Sequence, residues 1–239
     1  MQDFHCHVLP SIDDGAEDIA ECERILKMLT EQGVTQVVAT PHFRADTMSL
    51  TRFLEKRTAV LGEVLEATRN KNYPSIIPGA EVYLTRGLHA YGGLDKLCIE
   101  GTKFILIEPP FEVWQDWVYE TVYKIIVKRG LIPIIAHAER YVDIMSFERV
   151  MRLLSMNVYV QVNAGSYLNF THRRFIKRLI KNHKVHLIGT DAHNSTNRRP
   201  RMSECLRKME SNFGRGFIDY IKSVSESVLC GKIPENLRG

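Results

Sequence analysis

The sequence predicts a single α/β domain whose parallel strands close into a barrel. Three observations carry this prediction: seven short apolar stretches of strand character, helical periodicity between them, and ligand-type polar residues gathered where the stretches end. The chain has 239 residues, 44% apolar and 25% charged, and barrels of roughly 200–250 residues commonly form one domain. The strand stretches run Phe4–Val8, Val34–Thr40, Ile76–Leu84, Phe104–Glu108, Ile132–Ala136, Val158–Asn163 and Val185–Thr190. Most are β-branched runs without polar alternation, as parallel strands covered on both faces require.

Helical patterns fill the intervals. Ile19, Cys22, Leu26 and Leu29 recur at three- and four-residue steps, and Gly33 stands just past the end as a helix stop. A second stripe holds Phe53, Leu54, Val60, Leu61, Val64 and Leu65. Further helices are expected near Trp114–Arg129, closed by Gly130, near Phe147–Met156 and Arg173–Asn182, and twice after Pro200. Strand–helix alternation of this kind builds either a closed barrel or a doubly wound sheet. No G-x-G-x-x-G follows the first strand and no G-x-x-x-x-G-K-[ST] occurs, so nothing favours a nucleotide-binding doubly wound sheet. The expected domain spans residues 1–239.

Composition removes other classes. Mean hydropathy is −0.17, and no apolar run approaches the roughly 20 residues that cross a bilayer. The opening MQDFHCHVLPSIDD lacks the basic and apolar regions of a signal peptide. Five widely spaced cysteines without a C-x-x-C pair fit free thiols in a reducing cytoplasm. A net charge of +4 tolerates anionic partners without demanding nucleic acid, and no aromatic-interleaved basic domain supports one.

The strand ends are where the chemistry gathers. In the first strand His5 and His7 share a face and Cys6 takes the other. The loop beyond holds Asp13 and Asp14. His42 ends the second stretch, Glu81 interrupts the apolar third, Glu108 ends the fourth, His137 and Arg140 follow the fifth, and Asp191 and His193 follow the seventh. In such barrels the active site forms at the carboxyl ends of several strands. A carboxylate buried in an apolar strand is costly unless paired or bound to a cation. Imidazole mixed with carboxylate suits zinc, iron or manganese, and nine candidate ligands exceed what one ion accepts, so two or three ions are implied.

Taken singly, these residues have simpler readings. A lone histidine on an apolar face is usually a satisfied core residue, the expectation for His186, His89 and His172. Glu108 alone would suit a salt bridge, and the cysteines suit core packing. The run Arg173, Arg174, Lys177, Arg178 and Lys181 reads as a solvated basic face, with contact to an anion or a membrane as the lesser reading. Convergence at successive strand ends is what favours a metal centre.

These residues resemble the PHP (polymerase and histidinol phosphatase) superfamily over almost the whole chain. Within it the closest likeness is to the bacterial manganese-dependent protein-tyrosine phosphatases of capsule and exopolysaccharide synthesis. "FHCHVLPSIDDGAED", "VVATPHF", "PGAEVYL", "FILIEPPF", "PIIAHAERY", "QVNAGSY" and "IGTDAHNSTNRRP" carry the resemblance. It implies a distorted (β/α)7 barrel. It further implies His5, His7, Glu81 and Asp191 around one ion, Glu81, Glu108 and His137 around a second with Glu81 bridging, and Asp14, His42 and His193 around a third. The ions would be divalent, manganese first, with iron, zinc or magnesium as alternatives.

Arg140 and Arg198 match the phosphate-binding arginines. Arg199 is a second candidate beside Arg198, although spacing from Asp191 favours Arg198. Hydroxide formed on the metals would attack phosphorus, and either His42 or Asp14 could protonate the leaving oxygen. No C-x5-R follows any cysteine, so a cysteinyl-phosphate is not expected. The implied partner is the tyrosine-rich tail of a bacterial autokinase, with peripheral contact to a membrane kinase compatible with the absent membrane segment. Setting the four acidic ligands aside raises the net charge from +4 to +8, which would steer an anionic tail. The rivals are a small-molecule phosphoesterase of the histidinol phosphatase type and a catalytically inactive, metal-stabilised regulatory module.

Overall fold

A computed structural model describes residues 1–233. Nine strands form two parallel sheets that together make one curled barrel. The first sheet has β1 (Gln2–Cys6), β2 (Gln36–Ala39) and β4 (Ser75–Pro78), in the order β1-β2-β4. The second runs β3 (His42–Phe43), β5 (Glu81–Tyr83), β6 (Phe104–Glu108), β7 (Ile132–Ile135), β8 (Tyr159–Asn163) and β9 (Leu187–Gly189) in that order. One of the seven expected strands is broken, and another is followed by a short strand that was not expected. Val34–Thr40 yields β2, and His42 opens a separate β3. Ile76–Leu84 splits at Gly79-Ala80 into β4 and β5.

The breaks are aligned. β2 pairs with β4 and β3 pairs with β5, so one fracture crosses two neighbouring strands and divides the barrel wall. Pro41 and Pro78 sit at its edges, and a proline has no N–H to give the ladder. The Gly79 N–H instead donates to the Ala39 carbonyl at 2.8 Å. The fracture is the distortion in this (β/α)7 barrel.

The last strand returns to the first. The Asp191 N–H donates to the His5 carbonyl at 2.7 Å, and the His7 N–H donates to the Ala192 carbonyl at 2.9 Å. Asp3, fully buried behind β1, accepts from the Thr190 N–H at 2.8 Å and its hydroxyl at 2.6 Å. Burial pushes the Asp3 carboxyl up to about 6, although those Thr190 bonds act against it. Gly189 leaves room for this seam, because a Cβ there would stand 2.5 Å from His5 Cβ.

Helices α1 (Ile19–Glu31), α2 (Leu50–Thr68), α3 (Asp116–Arg129), α4 (Phe147–Leu154), α6 (Phe170–Lys181), α7 (Met202–Phe213) and α8 (Arg215–Leu229) cover the barrel, with a short α5 (Ala164–Leu168) directly after β8. Side-chain caps start α1, α2, α4 and α6. Asp18 accepts from the Glu21 N–H and Asn169 from the Thr171 N–H. Gly33 and Gly130 end α1 and α3 with positive φ, as expected of helix stops. Alternation fails between β5 and β6, where two 3-10 turns, Leu88–Ala90 and Leu94–Leu97, replace a helix. On α2 only Phe53 and Val64 are buried, and Leu65 lies exposed.

The interior is layered along the barrel axis. Phe4, Val38, Phe104, Leu106, Ile134, Tyr159 and Leu187 come from β1, β2, β6, β7, β8 and β9 and pack with Val224 and Val228 of α8. Phe104 and Tyr159 open their strands and meet edge-on with centroids 5.1 Å apart. This apolar plug fills the amino-terminal end and leaves the carboxyl end to polar side chains. His186 is a satisfied core residue, its Nδ1 accepting from the Val160 N–H at 3.0 Å. His172 and His89 are not. The former pairs with Asp143 on the half-exposed face of α6, and the latter sits half-buried in a 3-10 turn.

Candidate metal centre

All nine expected ligands come together at one end of the barrel. Most of them stand at or just beyond the carboxyl ends of strands, and His42 and Glu81 lie at the fracture, where they open β3 and β5. Glu81, buried on β5, is the hub. Its Oε2 lies 3.1 Å from His5 Nε2, 3.3 Å from His7 Nε2 and 3.0 Å from His42 Nδ1, while Oε1 lies 2.9 Å from His137 Nε2. Glu108 Oε1 stands 3.6 Å from the same His137 nitrogen. Asp191 Oδ1 is 3.7 Å from His5, 3.6 Å from His7 and 3.5 Å from His193 Nδ1. At the mouth, Asp14 Oδ1 lies 3.4 Å from both His42 Nε2 and His193 Nε2. His5, His7, Glu81 and His137 form a buried floor, whereas the Asp14 side chain is 62% exposed.

Donor atoms cluster in three places: His5, His7 and Glu81; His42, Glu81 and Glu108; and His7, Asp14, His42 and His193. The grouping overlaps the expected three sets but is not identical. His7 also reaches the outer cluster, and His42 stands between the outer and the Glu81–Glu108 positions.

Neighbours aim the imidazoles inward. His7 Nδ1 pairs with Asp13 Oδ2 at 2.6 Å, and His5 Nδ1 with Gln161 Oε1 at 3.2 Å. His193 Nδ1 faces the Asp191 carbonyl at 3.0 Å. Each contact leaves Nε2 pointing into the cradle, the orientation a carboxylate or carbonyl imposes on a ligating histidine. Gln161 also accepts from the His137 N–H at 2.8 Å and donates to Asn163, which donates to Asp191 at 2.8 Å. Asp13, Gln161 and Asn163 are the residues sequence reasoning missed as parts of the site. Asp13 lies beside Asp14, and the other two lie in "QVNAGSY", so the signal was present without an assignment.

The donor set fits cations. His5 Nε2 and His7 Nε2 stand 3.1 Å apart, and the buried His193 Nε2 has no hydrogen-bond partner, an arrangement that a shared positive centre satisfies. Burial works against ionised Glu81, but His5 and the other imidazoles around it hold its carboxyl well below the usual range. Burial likewise opposes ionised Asp191, and His5 and His7 overcome it. Glu108 is shifted upward, first by burial and then by Glu81. His137 and Asp191 both hold positive φ, 31° and 52°. That backbone region costs about 1–3 kcal/mol at a non-glycine residue and concentrates at functional sites.

Two arginines flank the mouth. Arg198 Nη2 lies 3.0 Å from Asp191 Oδ1 and its Nη1 3.5 Å from Asp14. Arg140 Nη1 lies 3.9 Å from Asp191 Oδ2. Both side chains stay about 40% exposed. Arg199 turns away to Glu204 at 3.9 Å. Glu139 faces inward, accepting from the Asn163 N–H, rather than holding Arg140 on the rim. The thiols stand apart from this chemistry. Cys6, Cys22, Cys98 and Cys205 are buried, with burial driving all four upward, and Cys230 is exposed.

Fold and site together define an α/β-barrel protein of the PHP type with a candidate metal centre. The family model for capsular polysaccharide synthesis, CpsB/CapC, matches residues 1–228, and the chain belongs to that family. It is 28% identical over 225 residues to tyrosine-protein phosphatase YwqE of Bacillus subtilis, covering 90% of this chain and 85% of that protein. To tyrosine-protein phosphatase CpsB of Streptococcus agalactiae serotype III it is 28% identical over 227 residues, covering 90% and 92%. Among solved structures, a chain from the crystal structures of YwqE and of CpsB from Streptococcus pneumoniae, described as unique metal-dependent tyrosine phosphatases, superposes with a TM-score of 0.82. It is 26% identical, with 98% of this chain and 96% of that one covered. A histidinol phosphate phosphatase from Lactococcus lactis, solved with zinc, L-histidinol and phosphate, shares the fold at 13% identity and a TM-score of 0.59.

Asp13 gives a test of how the cradle is aimed. Asp13→Asn keeps the shape but loses the charge beside His7, and losing such an outer partner typically costs about 10–100-fold in metal affinity. We expect a loss of that size by calorimetric metal titration with the fold unchanged. Unaltered affinity would reduce Asp13 to a loop-shaping residue.

Proposed function

We propose that the chain is a metal-dependent protein-tyrosine phosphatase. Its substrate would be phosphotyrosine on a bacterial tyrosine autokinase that regulates capsule or exopolysaccharide synthesis. Residues 1–239 would act as one domain in the cytoplasm, meeting a membrane kinase from outside the bilayer. No helix among the described residues is long and apolar enough to cross a membrane. The observation that carries the reading is the cradle of nine nitrogen and oxygen donors with two half-exposed arginines at its mouth. The names of the curated relatives and of the family support the substrate and the pathway.

The ligand sets proposed are His5, His7, Glu81 and Asp191; Glu81, Glu108 and His137; and Asp14, His42 and His193. They would hold two or three divalent ions, manganese before iron, zinc or magnesium. Hard oxygen ligands mixed with imidazole, and no thiolate, suit that choice. When bound, such ions supply Lewis acidity and bring the pKa of water from 15.7 down to about 7.

The chain's own groups do the rest. Arg140 and Arg198 bind phosphoryl oxygens through planar guanidinium forks, and Asp191, between the two, keeps both turned to the mouth. The floor residues Glu81, His5 and His7 are shielded from bulk water, so charges there act with little screening. Asp14 and His42 stand together at the open side, where a leaving oxygen emerges, and whichever of the two is not holding an ion supplies the proton it needs. A phenolate leaves readily, so the demand on that proton donor is modest.

A chelator should abolish hydrolysis of a phosphotyrosine peptide, and manganese should restore it. Alkylating the exposed Cys230 should leave turnover intact. Histidinol phosphate at equal concentration should be the poorer substrate. Activity that survives complete metal removal, or collapses on Cys230 modification, defeats the metal mechanism. Preference for histidinol phosphate transfers the assignment to a small-molecule phosphoesterase, and no turnover of any aryl phosphate in the metal-loaded protein leaves the regulatory module.

A further inference from the structure

Helix α6 packs beside the segment that carries Arg140 and has a feature the phosphatase reading leaves unused. The 3-10 segment Ala138–Asp143, which holds Arg140, packs against α6. Between them runs a groove of about 240 Å³ lined by Val142, Phe170, Thr171, Arg174, Phe175 and Arg178. It is continued along the helix by a second depression of about 510 Å³ that adds Arg173, Lys177 and Lys181. Helix α6 contains no acidic residue.

The acids nearest the groove are already engaged, Glu148 with Arg178 at 3.8 Å and Asp143 with His172 at 2.9 Å. Arg174 and Lys181 are exposed and have no acidic partner within 4.0 Å among the described residues. Phe170, at 75% exposure, is the most open of the large apolar side chains described and lines both depressions. Unpaired cations around an open aromatic ring, two residues along the chain from Val142 to Arg140, suit an anionic polypeptide more than a bare ion.

We infer that this groove is a docking subsite for the acidic side chains that flank the phosphorylated residue of a polypeptide substrate. The inference rests on the phosphatase reading and adds where the rest of the substrate lies. With the phosphoryl group on Arg140 and Arg198, the chain beyond it crosses Val142 and meets Arg174, and its carboxylates pair with Arg174, Lys177 and Lys181. Such pairs raise capture more than chemistry, and salt weakens them.

The test uses the double reversal Arg174→Glu with Lys181→Glu. A control of equal charge change, Lys103→Glu with Lys232→Glu, alters exposed residues outside the groove. Binding of a fluorescent acidic tyrosine peptide is read by anisotropy, and kcat/KM is measured on p-nitrophenyl phosphate, on an acidic phosphotyrosine peptide and on a neutral one. We expect the groove reversal to weaken acidic-peptide binding at least tenfold at low salt and to raise KM for that substrate alike. Its kcat/KM on p-nitrophenyl phosphate and on the neutral peptide should stay within twofold, and the gap should close as salt rises.

Equal losses in the control and the groove variant would overturn the subsite, as would equal wild-type binding of acidic and neutral peptides. Binding to vesicles containing phosphatidylglycerol that is lost in the groove variant, with peptide binding unaffected, would make the face a membrane surface and likewise overturn it. If metal-loaded wild type hydrolyses none of the three substrates, the phosphatase reading fails, while the anisotropy result still decides the groove.

Discussion

Glu81→Gln should empty the cradle. The variant is expected to lose divalent-ion affinity by more than the roughly 10–100-fold that a lost outer partner costs, and its turnover should fall to near background. The reason is geometric. One buried carboxylate lies within 3.3 Å of His5, His7, His42 and His137, and two of the three donor clusters include it. Glutamine preserves the volume but offers one neutral oxygen in place of two charged ones, and its amide group would present N–H to imidazoles already crowded together. Glu108→Gln should do less, because Glu108 is partly exposed, belongs to one donor cluster rather than two, and stands 3.6 Å from the imidazole it meets, His137. Metal content and stepwise affinity of both variants, measured by elemental analysis and calorimetry, are the comparison. Equal losses in the two would remove Glu81 from its bridging position.

Arg140→Ala should separate catalysis from metal binding. A guanidinium offers donors only and no lone pair for a cation, so the variant is expected to fold and to hold its full metal complement. Loss of one preorganised charge-stabilising donor typically costs about 10²–10³ in rate. Arg140→Lys should recover part of that, since an ammonium brings charge without the two-pronged planar contact. Arg198→Ala should behave alike but with a further effect on Asp191, whose Oδ1 it holds at 3.0 Å. Normal turnover of Arg140→Ala with full metal would leave that arginine a mere partner of Asp191 and pass phosphate binding to Arg198. An exposed ion pair of that kind contributes only about 0–1 kcal/mol.

Most of the fold was legible because parallel strands leave unmistakable apolar runs, and most of the candidate ligands stood out because they interrupt or follow one. The fracture was not. Ile76 to Leu84 reads as one strand, since the pattern of side chains says nothing about where a ladder changes partner. Pro78 and Gly79 were the only local hints, and both also occur at ordinary strand edges. The interval between β5 and β6 carries no helical stripe, and there Leu88, Leu94 and Leu97 are buried from two 3-10 turns. Among the site residues, His7 could be named from its neighbour His5, but Asp13 could not be told from Asp14. Only the fold shows that one turns inward to His7 Nδ1 and the other stands at the mouth. Gln161 joins His5 to His137 across a sequence gap that no local pattern encodes.

The seam between the first and last strands sets the order in which the molecule can be made. Asp3 binds Thr190 across 187 residues, and Cys6 meets Ala192 across 186. A chain growing from its amino end on the ribosome releases His5 and His7 long before the residues that complete their surroundings. Until then β1 has a partner only in β2, and its other edge displays unpaired backbone groups, the usual template for wrong association. Contacts of such long range also fold slowly, because the closure entropy must be met before they form. A nascent chain stalled before residue 190 would thus carry the two floor histidines without Asp191, His193 or Arg198. Competence to bind the outer ions would arrive abruptly, with the final strand, rather than accumulate as the chain lengthens.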